Sequence, residues 1–317
     1  MTSAPPVPPP LRPLGLGEIL DRTVTLCVRG FALFGLIVLI VEIPRGIASY
    51  YSLAIFGQQI HTLLKIGTGG SSSDDVLRTL SATQSPWLPL GIVLPLILLP
   101  LAVAALVVGS TTLYFGGRIS FRECYRIALG RWFPLILLNL VWVVAAIIAY
   151  IGIAIPFAII AVGVVALGTI FKVAGIVFGV IAGVAALLVV IGVVTLLVLG
   201  YQISIVACVV ERSSFLDAFV SALRRVFSGI GIRRSLLVGL VYGLVIGGLT
   251  IATSAGGVLL SALSPVAGTL YVTLLGIVTQ IFTTVVMVVF YFDLRVREDG
   301  LDLELAAGAA PALAPQS

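Results

Sequence analysis

Between residues 133 and 210 the chain carries one charged side chain, Lys172. No soluble domain tolerates such a run, because soluble domains draw about 25% of their residues from Asp, Glu, Lys and Arg and turn them towards water. Four further apolar stretches span 31 to 56, 87 to 115, 235 to 263 and 265 to 292. Each exceeds the roughly 20 residues that cross a hydrocarbon core of about 30 Å. Only 10% of the residues are charged and the mean hydropathy is +1.24. The expected fold is therefore all-α: a polytopic helical membrane bundle whose solvent is mostly lipid.

Charge placement gives this bundle an orientation. Fourteen of the 18 Lys and Arg residues sit in the gaps on one side of the apolar runs, and three (Lys65, Arg78 and Lys172) on the other. Basic residues accumulate in cytoplasmic loops, so the first side reads as cytoplasmic. Arg118, Arg122, Arg126 and Arg131 precede the long run, while Arg212, Arg224, Arg225, Arg233 and Arg234 follow it. Both of its ends are then cytoplasmic, and it crosses an even number of times. Lys172 marks the outer turn. Two helices of about 36 residues would each be about 54 Å long, so they must tilt, break near Pro156, or be four shorter spans. Two long helices are expected, since no other polar turn is visible.

That gives six spans with both termini in the cytoplasm. The segment 57 to 86, with Gly69, Gly70, Ser71, Ser72, Ser73, Asp74 and Asp75, becomes the one sizeable outer loop. Residues 1–13 are expected to be a disordered Pro-rich tail, 14–292 a single membrane domain and 293–317 a cytoplasmic tail. The basic pI near 9.3 follows from orientation. Nucleic acid is not an expected partner, because the Arg residues border apolar segments and do not form a soluble basic domain.

An amphipathic template recurs before each pair of spans. With Leu16, Phe121 and Phe215 as position i, residues i, i+3, i+4, i+7, i+8 and i+11 share one helical face. They are Leu16, Ile19, Leu20, Thr23, Val24, Cys27; Phe121, Cys124, Tyr125, Ala128, Leu129, Trp132; and Phe215, Ala218, Phe219, Ala222, Leu223, Val226. Position i+2 is acidic each time: Glu18, Glu123 and Asp217. Ser120 with Glu123 has the spacing of a capping box and Ser214 with Asp217 is a close variant, which reads as helix starts. Three repeats follow, about 14–115, 119–210 and 214–292, each a short helix on the cytoplasmic surface and then a transmembrane hairpin. Such copies enter the membrane from the same side and are able to pack about a pseudo-threefold axis.

Few side chains offer chemistry. Glu42 and Arg45, three apart on one helix face and flanking Pro44, are the only acid and base well inside a single expected span. A lone charge at bilayer depth costs about 2.5–3.5 kcal/mol on insertion scales, so the two are expected to pair. The pair reads either as a proton or ion relay beside a proline kink, or as a structural ion pair near the outer interface. Thr269, Thr273, Gly276, Gln280, Thr283 and Thr284 form a weakly polar stripe on the last span, readable as a solute path or as interhelical glue. Asn139 and Gln202 are expected to join two spans. Gly175, Gly179, Gly183 and Gly239, Gly243, Gly247 recur every four residues, the pattern of close helix packing.

Cys27, Cys124 and Cys208 lack metal-ligand spacing and read as packing thiols. His61 is the sole histidine, so a histidine metal cluster or histidine acid/base pair is not available within the chain. No nucleophile elbow, zincin helix or phosphate-binding loop occurs. No cofactor and no enzymatic activity are expected.

Three stretches, LGLGEILDRTVTLCVRGFALF (14 to 34), VVERSSFLDAFVSALRRVF (209 to 227) and YFDLRVREDGLDLEL (291 to 305), resemble bacterial proteins of the glycerophosphoryl diester phosphodiesterase membrane-domain family. The resemblance implies a multi-pass plasma-membrane protein, some of whose relatives are fused to a soluble phosphodiesterase domain. Nothing like that catalytic domain is visible here, so glycerophosphodiester hydrolysis is not expected.

The leading expectation is a non-enzymatic protein that organises membrane lipids, anionic ones in particular, or partner proteins through basic cytoplasmic helices. Its headgroup contacts would be Arg122, Arg126, Arg131, Arg224, Arg225, Arg233 and Arg234. The alternative is a small-solute or ion transporter, its path lined by Glu42, Arg45, Thr273 and Gln280.

Overall fold

The computed structural model describes residues 12–67 and 87–300. Among them are eight helices and no strand: α1 (Leu16–Gly67), α2 (Trp87–Tyr114), α3 (Phe121–Leu129), α4 (Trp132–Ile170), α5 (Lys172–Val210), α6 (Phe215–Phe227), α7 (Gly229–Leu263) and α8 (Pro265–Glu298). Six are long and apolar enough to cross a membrane. The run from 133 to 210 is two helices of 39 residues each, divided at Phe171 immediately before Lys172. Pro156 sits inside α4 without ending it.

Three boundaries differ from expectation. α1 is one helix of 52 residues, so the first amphipathic segment does not separate from its span. The breaks that free α3 and α6 have local causes that the first copy lacks. Pro134 sits in the first turn of α4, where its missing N–H is tolerated, and the extended Ser228 precedes Gly229. The first copy offers only Gly30, which one helix absorbs. α1 also continues through Gly67, into the expected outer loop, because Gln58, Gln59, Leu63, Leu64 and Lys65 are sound helix formers with no proline among them. The remainder of that loop, Gly69 to Asp75 included, lies outside the described residues. Finally, α8 extends to Glu298, past the expected tail boundary at 293, supported by ion pairs from Arg297 to Asp293 and from Arg295 to Asp299 at i,i+4 spacing.

The chain divides into two compact units, residues 134–243 and the remainder, a division that cuts across the expected repeat boundaries. In the larger unit α1 packs along both α2 and α8. Its buried stripe, Ile19, Thr23, Leu26, Gly30, Phe34, Ile37 and Val41, recurs at the three- and four-residue spacing of one helix face. The C-terminal half of α8 is enclosed on all sides, with Val285 to Asp293 buried without interruption. In the smaller unit Trp142 of α4 is the joint: its Nε1 donates to Ser204 Oγ of α5 at 2.8 Å, and its ring meets Phe219 of α6 at 5.1 Å. Much of α4 and the start of α5 stay bare, with Tyr150, Ile159, Val162 and Val173 each at least 67% exposed. A continuous apolar surface of that kind is matched by hydrocarbon and not by water.

The amphipathic template is visible in the burial pattern. In each of the three segments the i+3 and i+7 residues are buried: Ile19 and Thr23, Cys124 and Ala128, Ala218 and Ala222. Position i+8 departs from the expected face in the first two segments, where Val24 and Leu129 are more than half exposed.

Candidate functional site

Polar groups concentrate at two places in the larger unit, and the first was anticipated. Arg45 Nη1 donates to Glu42 Oε1 at 2.7 Å, with the Glu42 side chain 2% exposed and that of Arg45 39% exposed. The close approach of α1 and α8 creates this burial. A Cβ on Gly276 would stand 3.2 Å from Glu42 Oε2, and one on Gly46 would stand 2.8 Å from Thr273 Oγ1. Glycine at these two positions gives the carboxylate and the hydroxyl their space. Above them opens a cleft of about 420 Å³, walled by Ile43, Ile47, Val266 and Leu270, with Tyr50 and Tyr51 also lining it.

The polar stripe on α8 splits between two environments. Thr269 and Thr273 line the cleft. Gln280, Thr283 and Thr284 lie deeper along the helix, where Gln280 Nε2 donates to Thr284 Oγ1 at 3.2 Å and Thr284 donates back to the Gln280 carbonyl at 3.0 Å. Thr283 and Thr284 are buried. Glu42, Arg45 and Thr273 are thus brought together, whereas Gln280 is satisfied within its own helix.

The second place was missed. Asp293, 1% exposed, accepts the Leu14 N–H at 2.7 Å and both of its oxygens accept from Arg297 Nε at 3.1 Å. A second nitrogen of Arg297 donates to the Leu14 carbonyl at 2.9 Å. One residue of the N-terminal segment is therefore held through its backbone N–H and C=O by a single acid–base pair at the end of α8. Beside it Gly15 N–H donates to Glu18 at 2.9 Å, a capping interaction at the start of α1, and Glu18 also pairs with Arg12. Arg22 donates to Tyr114 at 2.9 Å, and the Tyr114 ring stacks on Phe292 at 5.3 Å. The start of α1 and the end of α8 meet here. The readable signal was the i,i+4 spacing of Asp293 and Arg297; the partner, 279 residues away, had none.

The candidate headgroup arginines divide by environment. On α3, Arg122 and Arg126 are exposed and, with Ser120 and Glu123, border an open groove of about 530 Å³. Arg224 and Arg233 are exposed in the smaller unit, while Arg131 and Arg234 are half-buried. Arg225 is a correction. It is 9% exposed and bonded to Glu211 at 2.7 Å, because it falls on the packed side of α6 next to Val226, and so it does not face headgroups.

Ser120 is another correction, since it makes no side-chain cap and Glu123 turns instead to Arg126 at 3.3 Å. Ser214 does cap α6, accepting from Asp217 N–H at 3.2 Å. α3 is held by Tyr125, whose hydroxyl donates to the Ile37 carbonyl at 2.7 Å and is pushed up to about 12 by burial. Burial likewise pushes the neighbouring Cys124 thiol up to about 11. All three cysteines are free thiols.

Asn139 lies on α4 and Gln202 on α5, two helices that the Trp142 to Ser204 hydrogen bond ties together. The glycine rows are used unevenly. A Cβ at Gly239 would collide with Thr195 at 2.4 Å, and one at Gly179 would press on Val164 at 3.1 Å. Gly183, Gly243 and Gly247 meet nothing within 4 Å, so close packing does not extend along either whole row.

No protein-family model matches the chain, and no curated protein or solved structure matches it. What the residues and helices define is a class: an all-α integral membrane protein with six long apolar helices.

Proposed function

We propose that this chain is a non-enzymatic, multi-pass protein of the bacterial plasma membrane, akin to the glycerophosphoryl diester phosphodiesterase membrane-domain family. Both termini lie in the cytoplasm, and the protein gathers anionic lipids through α3 and α6. One observation carries the reading: each short helix uses its small and apolar face for packing inside its own unit and turns at least one guanidinium group outward. Cys124 and Ala128 are buried while Arg122 and Arg126 are exposed, and Ala218, Ala222 and Val226 are buried while Arg224 is exposed. A basic residue near an anionic membrane surface is favoured by about 1 kcal/mol, so four such residues, Arg233 included, outweigh the cost of ordering a headgroup.

The experiment is native mass spectrometry of the protein in nanodiscs of mixed phosphatidylglycerol and phosphatidylcholine. The full chain should retain phosphatidylglycerol preferentially. Replacing Arg122, Arg126, Arg224 and Arg233 by Gln should abolish the preference at an unchanged Tm. Undiminished selectivity in that folded variant would refute the reading.

A further inference from the structure

The cleft between α1 and α8 uses none of these arginines, and its composition restricts what can occupy it. Glu42 and Arg45 together are neutral, and among the described residues Glu42 is hydrogen-bonded through Oε1 only. Oε2 is turned to Gly276 of α8, Glu42 and Thr273 both line the cleft, and Thr273 has no hydrogen bond to another described residue. Gly46 follows Glu42 by one turn on α1 and Thr273 precedes Gly276 by one turn on α8, so the carboxylate and the hydroxyl belong to neighbouring turns of the same α1–α8 seam. A single hydroxyl has the donor and the acceptor that this pair calls for, accepting from the Thr273 hydroxyl and donating to the carboxylate.

The charge of the occupant follows from the same geometry. An ammonium would compete for Glu42 with a guanidinium bonded at 2.7 Å and leave a net charge at bilayer depth. A phosphate would face the Glu42 carboxylate, since Glu42 lines the cleft and Arg45 does not. A hydroxyl meets neither obstacle. The walls are Ile43, Ile47, Val266 and Leu270 on two membrane-spanning helices, so the remainder of the molecule is hydrocarbon that arrives from the lipid. The volume, about 420 Å³, falls in the range of small-molecule sites, about 300–1,000 Å³.

We propose that this cleft binds an uncharged lipid alcohol, whose hydroxyl bridges Glu42 and Thr273 and whose chain lies along Ile43, Ile47 and Leu270. This goes beyond the lipid-gathering reading and rests on different residues.

The test uses the full chain in phosphatidylcholine nanodiscs with a diazirine-bearing C12 alcohol, mapping adducts by peptide mass spectrometry. Adducts should fall on 43–51 and 266–273, and unlabelled 1-dodecanol should compete at least tenfold better than dodecylammonium or dodecyl phosphate. Ile47→Trp fills the cleft from a lipid-exposed position and should cut this labelling at least fivefold. The nearly isosteric Thr273→Val should weaken 1-dodecanol competition about fivefold. Adducts spread evenly over lipid-facing helices, stronger competition by the charged amphiphiles, or unchanged competition in Thr273→Val would each overturn the assignment. Failure of the four-arginine variant to alter lipid retention would leave these outcomes untouched.

Discussion

Asp293→Ala removes the group that holds the chain's N-terminal segment to the end of α8. Its side chain is fully buried and accepts from both the Leu14 N–H and Arg297. A hydrogen bond to a charged acceptor contributes about 1.5–3 kcal/mol, and breaking a buried ion pair from one side costs about 3–5 kcal/mol. The upper figure does not apply in full, because the Arg297 side chain is 29% exposed and can turn its guanidinium to water. A local loss of about 3 kcal/mol follows, which is about a hundredfold in the opening equilibrium. Hydrogen exchange at the Leu14 amide in detergent micelles reads this directly and should accelerate about a hundredfold. Asp293→Asn keeps an acceptor for Leu14 and should produce about a tenfold change. If Leu14 exchanges at the parental rate in Asp293→Ala, the clamp does not hold the segment.

Three other predictions address local features. Ser214→Ala should cost about 1 kcal/mol and lower the apparent Tm by about 2 °C by circular dichroism, whereas Ser120→Ala, which removes no cap, should change it little. Gly268→Ala should destabilise by about 1–3 kcal/mol in the same assay, because the new Cβ would lie 2.9 Å from the Gly257 carbonyl oxygen, while Gly152→Ala, with nothing within 4 Å, should be neutral. Cys124, with its thiol raised to about 11, should resist N-ethylmaleimide at pH 8, where only about one molecule in a thousand is thiolate. The folded state keeps that thiol protonated where the unfolded chain ionises. The associated stability is therefore fully present below about pH 9 and disappears as the pH rises through about 11, which a pH series of thermal melts should follow.

Hydropathy carries the architecture because a span must satisfy its backbone internally whatever its neighbours are. Lys172 and the six spans were legible for that reason. The amphipathic template located α3 and α6 and the burial of their i+3 and i+7 residues, since helical periodicity is a local property. Whether a surface helix separates from its span depended on Pro134 and on Ser228 with Gly229, and the absence of such a break before Phe31 left α1 continuous. Glu42 and Arg45 were visible as a pair three residues apart, but the cleft above them was not, because it depends on Gly46 and Gly276 meeting across two helices. The Asp293 clamp was hidden for the same reason. Arg225 misled because its charge announces a surface, whereas its position on α6 and the nearby Glu211 draw it inside.

Everything proposed for the basic helices rests on which side of the membrane they occupy. Impermeant maleimide labelling measures this, using single cysteines at Ser3, Ser73, Arg122, Lys172 and Arg233 in a chain whose three native cysteines are replaced. In intact spheroplasts the Ser73 and Lys172 positions should label, while Ser3, Arg122 and Arg233 should label only after permeabilisation. Labelling of Arg122 or Arg233 from outside, or of Lys172 only from within, would contradict the account.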